Sequence, residues 1–242
     1  MVRLASLVLA LALGVAATSP PADPLPAKRR FADEIDAFAA ADKANPPSAC
    51  PLLFVGSSSI RRWATLAHDM APYPTLNRGF GGAEIADVNA EFGRVVAPYR
   101  PRAIVFYAGG NDLHDDMTPD EVVAEFKTFM ALKRAALPHV RVYFVSVKPS
   151  KARLTEYPAQ EAVNQQIKAM SLTQHDLIVI DVVPDMMADG KPKDIFESDG
   201  LHMTAAGYAI WTTDIRRVLD WTNAKNLKCP PPPKPAKAAK KK

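Results

Sequence analysis

The sequence has only two cysteines in 242 residues, Cys50 and Cys229, too few for a disulfide scaffold or a four-cysteine zinc site. It has no uninterrupted apolar run near the roughly 20 residues that span a bilayer, which excludes a transmembrane bundle. Neither G-x-x-x-x-G-K-[ST] nor G-x-G-x-x-G occurs, so nucleotide binding finds no support. His68, His114, His139 and His175 are scattered without metal-ligand spacing, and they are expected in surface or turn roles. A basic fold is missing too, despite a pI near 9.0 and a net charge of +4. The five lysines after Pro230 exceed that whole excess, so the charge gives no support to nucleic acid as a partner.

With 48% hydrophobic residues and this length, the chain predicts one main globular domain. Its ends look different. Arg3 precedes the apolar run Leu4 to Ala17, which closes on Val15-Ala16-Ala17, the layout of a secretory signal cleaved near Ala17. The protein is therefore expected to be exported, periplasmic or secreted. Half of the 22 prolines lie before residue 48 or after residue 229. Residues 18–47 are accordingly expected to form an extended Pro-rich linker, 48–229 the domain, and 230–242 a disordered Pro/Lys-rich tail whose lysines suit peripheral contact with an anionic surface. In an oxidising compartment, Cys50 and Cys229 are expected to bond and staple the start of the domain to its end.

In the middle, short apolar runs alternate with longer amphipathic stretches. Strands are predicted at Leu52 to Val55, Thr75 to Asn77, Ala103 to Tyr107, Val140 to Val147 and Leu177 to Val182. Several are apolar at every position, as strands buried on both faces of a parallel sheet are. Thr118-Pro119-Asp120-Glu121 is a helix start with a capping box, and Pro138 ends that helix. Further helices are predicted over Gln160 to Thr173 and Ala205 to Asn223, the latter capped by Thr204. This alternation implies an α/β fold: a three-layer α/β/α, doubly wound parallel sheet whose ligand crevice lies at the carboxyl ends of the strands.

Four short segments fall just after strands or before the last helix. They are Gly56-Ser57-Ser58-Ser59-Ile60, Asn77-Arg78-Gly79-Phe80-Gly81-Gly82, Gly109-Gly110-Asn111-Asp112 and Asp199-Gly200-Leu201-His202. Together they supply a hydroxyl, a glycine loop, an amide donor, and an acid with a base. Acyl transfer through serine needs those parts: an imidazole to take the hydroxyl proton, a carboxylate to hold the imidazole, and donors set in advance for the oxyanion. Asp199 and His202, three residues apart, are close enough for one turn to join them. Three adjacent serines compete for the hydroxyl role.

In order and placement these segments resemble the four blocks of the SGNH hydrolases, the GDSL-type esterases and lipases. The resemblance runs from Phe54-Val55-Gly56-Ser57-Ser58 to Asp199-Gly200-Leu201-His202. It implies a flavodoxin-like fold, ester hydrolysis through an acyl-enzyme, and no cofactor or metal. Carried over by motif, Ser58 is the nucleophile, its own N–H and that of Gly82 join Asn111 in the oxyanion hole, and Asp199 and His202 complete the triad. The usual Gly-Asp-Ser is Gly56-Ser57-Ser58 here, so the acidic neighbour is missing. The G-x-S-x-G elbow of another esterase fold is absent, with Ile60 at its last glycine position.

The expected partner is a small-molecule, lipid or glycan ester. Alternatives are a deacetylase of polysaccharide O-acetyl groups, a lysophospholipase, an acyltransferase and a non-catalytic binding module. Lys148 and Arg153 are expected as solvated loop charges at the crevice entrance, Asp181 as a structural carboxylate, and Trp63, Phe80 and Tyr107 mainly as core.

Overall fold

The computed structural model describes residues 30–231. The leader, residues 18–29 of the linker and residues 232–242 of the tail lie outside the described residues. The chain opens with α1 (Ala32–Ala44), β1 (Leu52–Gly56), α2 (Ser58–Arg61), α3 (Leu66–Asp69) and β2 (Thr75–Gly79). It continues through α4 (Ile85–Ala90), α5 (Phe92–Val95), β3 (Ala103–Tyr107), α6 (Gly110–His114), α7 (Pro119–Ala136) and β4 (Arg141–Val145). It closes with α8 (Tyr157–Ser171), β5 (Leu177–Ile180), α9 (Val183–Met186), a two-residue-strand hairpin of β6 (Met187–Ala188) and β7 (Lys191–Pro192), and α10 (Ala205–Trp221). The five long strands are all parallel, in the order β2-β1-β3-β4-β5.

Alternate residues of each strand enter two separate cores, as the period-2 pleat requires. Leu53, Val55, Ile104, Phe106, Val142 and Phe144 face a layer built on α7, with α1, α4, α5 and α8 around it. Leu52, Phe54, Ala103, Val105, Tyr143 and Val145 face α10, whose Tyr208, Trp211, Ile215 and Leu219 are buried there. This is the expected three-layer sandwich. No described helix is long and apolar enough to cross a membrane.

Helix starts follow the sequence in one case and depart from it in another. Thr118 accepts the N–H of Glu121, and the Glu121 carboxylate accepts the N–H of Thr118, so the predicted capping box is present. Thr204 precedes α10, but its hydroxyl donates to the Ile195 carbonyl instead of capping the helix.

The linker expectation needs correction over residues 32–44, which are helical rather than extended. No proline falls between Pro26 and Pro46, and Phe31, Ile35 and Phe38 recur at helical spacing. That stripe buries against the first core, with Phe31 edge-on to Phe80 at 4.9 Å. The helix also neutralises a buried cation: Arg78 pairs with Asp42 and lies between the rings of Phe38 and Tyr99. At the N-terminal edge of the sheet, Cys50 and Cys229 form a disulfide across 179 residues of chain.

Candidate active site

All four segments meet at the carboxyl edge of the sheet, around the reversal of strand order between β1 and β3. Gly56 has φ +136°, and a Cβ there would lie 1.8 Å from the Tyr107 carbonyl oxygen, so only glycine lets β1 end this close to β3. Ser57 then donates its N–H to Tyr107, and the chain turns into α2 with Ser58 as its first residue. Ser57 and Ser59 are buried at 6% and 5% exposure, whereas Ser58 is half-buried. Tyr208 fastens this turn to α10 by donating its hydroxyl to the Ser59 carbonyl at 2.9 Å.

Ser58 Oγ lies 2.9 Å from His202 Nε2, and His202 Nδ1 lies 2.6 Å from Asp199 Oδ2. Asp199 Oδ1 accepts the N–H groups of Leu201 and His202, both at 2.9 Å. Partial burial pulls the Asp199 carboxyl upward, but the hydrogen bonds from His202 and these two N–H groups outweigh it. The group is held well below the ordinary carboxylate range and stays ionised.

Three successive carbonyls fix this loop. Gly200 accepts from the Ala152 N–H, Leu201 from Lys148 Nζ at 2.7 Å, and His202 from the Glu197 N–H. Lys148 is therefore no solvated loop charge: it is 3% exposed, and burial pushes its ammonium down to about 7.

The glycine loop is held from both sides. Asn77, in the middle of β2, donates to the Ile60 carbonyl and accepts the N–H of Gly79. On the outer side, Glu34 of α1 accepts the N–H of Gly81 at 3.2 Å and pairs with Arg61 at 3.0 Å. Gly82 follows with φ +71°. Among the described residues, the N–H groups of Ser58 and Gly82 have no hydrogen-bond acceptor.

Asn111, in the first turn of α6, donates to the Ala83 carbonyl at 2.9 Å and accepts from Arg153 at 3.1 Å. Its amide is thereby oriented from both ends, with one N–H left over. The adjacent Asp112 turns inward, fully buried, and accepts the Ile85 N–H; burial raises its carboxyl to about 6. Asp181 bonds the N–H of Val183, and Trp63, Phe80 and Tyr107 are core residues. His68 and His114 pair with Asp69 and Glu156, and no described group of three or more His, Cys, Asp or Glu is placed to hold a metal.

Sequence reasoning placed the four segments but missed Glu34 and the anchoring role of Lys148. Glu34 carried no signal beyond the Phe31, Ile35, Phe38 stripe that brings it in.

A hydroxyl, an imidazole and an ionised carboxylate joined in one hydrogen-bonded line, at the switch point of a parallel sheet, are the equipment of a serine hydrolase. The chain belongs to the GDSL-like Lipase/Acylhydrolase family, whose model matches residues 49–210. No curated protein matches the chain in sequence. Solved structures share the fold. A GDSL-like lipase from Bacteroides thetaiotaomicron superposes with a TM-score of 0.66 at 19% identity, covering 78% of this chain and 98% of its own. A carbohydrate esterase of family 3 from Talaromyces cellulolyticus gives 0.59 at 19% identity, covering 74% and 99%. The protein is an ester-hydrolysing serine hydrolase.

Proposed function

We propose that Ser58 attacks the carbonyl carbon of a carboxylic ester while His202 takes its proton, and that the alcohol leaves with that proton to give an acyl-enzyme. Water, deprotonated by His202, then releases the acid and restores Ser58. Asp199 holds the imidazole in the required tautomer and stabilises its charged form. The N–H groups of Ser58 and Gly82 and the remaining Nδ2–H of Asn111 stabilise the oxyanion. The observation that carries this reading is the Ser58–His202–Asp199 line at 2.9 and 2.6 Å, reached by only one of three adjacent serines.

Export also belongs to this reading. It is supported by the apolar leader with its small-residue end and by the disulfide, which persists in oxidising compartments. The substrates proposed for such a location are glycan O-acetyl esters and lysophospholipids.

Comparing Ser57→Ala, Ser58→Ala and Ser59→Ala on a short-chain aryl ester tests the assignment. Ser58→Ala is expected to lower kcat by about 10⁴-fold or more, and the other two to stay within about 10-fold of the parent. Full activity in Ser58→Ala refutes the nucleophile.

A further inference from the structure

We propose that Arg153 recognises an anionic group on the substrate, so that the enzyme favours esters carrying negative charge within a few bonds of the scissile carbonyl. This rests on the placing of Ser58 and Asn111 given above.

Four arginines surround the site, and three are matched by acids. Arg30 pairs with Glu84 at 3.3 Å, Arg61 with Glu34 at 3.0 Å, and Arg62 with Asp199 at 3.5 Å. Arg153 is different. Among the described residues it has no carboxylate partner, and its two hydrogen bonds run from a single nitrogen, Nη1, to the neutral oxygens of Gly110 at 2.8 Å and Asn111 at 3.1 Å. A guanidinium has five N–H donors in a rigid fork, so Nε and Nη2 keep open donors suited to a carboxylate or phosphate.

The surroundings increase the value of a counter-charge. Arg153 is half-buried, where attraction to an incoming anion is stronger than in bulk water. It acts on the buried Lys148, a second cation, and lowers that ammonium further. The nearby acid, Asp199, is already shared between His202 and Arg62. Arg153 has no acid of its own, and Lys148 adds positive charge mainly below about pH 7, so a positive field lies beside the oxyanion donor and a charged substituent on the substrate would neutralise it.

Position limits where that charge sits. Nη1 holds the oxygen of the same amide whose nitrogen is placed for the oxyanion, so the guanidinium lies one amide group away from the reacting carbonyl. A short dicarboxylic acyl chain would reach it, and so would an acidic group on the first ring of the alcohol half.

Two matched pairs of esters distinguish these sources. Mono-4-nitrophenyl glutarate against methyl 4-nitrophenyl glutarate places the charge on the acyl half. 4-Acetoxybenzoate against its methyl ester places it on the alcohol half. In at least one pair, kcat/KM of the parent enzyme is expected to favour the anionic member by about 10-fold at low salt, and less as salt rises. Arg153→Gln should abolish that ratio and Arg153→Lys should keep part of it. The ratio is the readout because the loss of the Asn111 contact slows both members of a pair alike. Turnover without an anionic preference, or a preference that survives in Arg153→Gln, overturns this proposal alone. No turnover of any of the four esters by the parent enzyme overturns the serine-esterase mechanism as well.

Discussion

The ammonium of Lys148 donates to the carbonyl oxygen of Leu201 at 2.7 Å, one residue before His202. The bond joins the segment after β4 to the loop carrying Asp199 and His202, and it places a cation where only 3% of the residue reaches solvent. Burial, helped by Arg153 and opposed by Asp199, lowers the ammonium to about 7.

That value sets a pH dependence of stability. Below about pH 7 both the folded and the unfolded chain hold the proton, and between about 7 and 10 only the unfolded chain does. The unfolded state therefore binds more protons in that window, and this group makes stability rise with pH by up to about 1.4 kcal/mol per unit. Urea midpoints from pH 6 to 9 should climb more steeply for the parent protein than for Lys148→Met. Parallel curves for the two proteins would remove Lys148 as the cause.

Glu34 braces the glycine loop from α1. Glu34→Gln keeps the shape but removes the charge that holds the Gly81 N–H and Arg61. Because the neighbouring Gly82 N–H is proposed to act on the oxyanion, kcat should fall by about 3- to 10-fold with KM little changed. The melting temperature should move little, since Glu34 is about one-third exposed and surface pairs contribute roughly 0 to 1 kcal/mol. An unchanged kcat would show that the loop holds its shape without α1.

The Cys50–Cys229 disulfide and the Ser58–His202–Asp199 line lie at opposite edges of the sheet. Closing so long a loop contributes about 4 to 5 kcal/mol in the chain-entropy model, and often less in practice. Cys50→Ser with Cys229→Ser should lower the melting temperature clearly while leaving kcat at 25 °C within about two-fold. A large loss of kcat in a folded double variant would contradict this separation.

Much of the fold was legible locally. Ala103–Tyr107 is apolar at all five positions and is a fully buried central strand, and Thr118-Pro119 starts α7 where the capping pattern predicts. The first helix was not legible. Prolines at both ends of the segment dominated its composition, and the stripe of Phe31, Ile35 and Phe38 has no meaning until Phe80 and Arg78 are there to receive it. Thr204 has the right residue type for a cap, but the Ile195 carbonyl takes its hydroxyl.

The site divides along the same line. The alternation of buried strands and helices and the four segments at strand ends are written into local sequence, because hydrophobic period and turn chemistry act over a few residues. The motif pointed to Ser58, and the folded chain brings it, rather than Ser57 or Ser59, to His202; that Glu34, Lys148 and Arg153 hold Gly81, Leu201 and Asn111 emerged from the packing alone. Those contacts join residues 47, 53 and 42 positions apart. Hydrogen bonds of that range depend on how packed layers bring distant side chains within about 3 Å, and no local pattern encodes that distance.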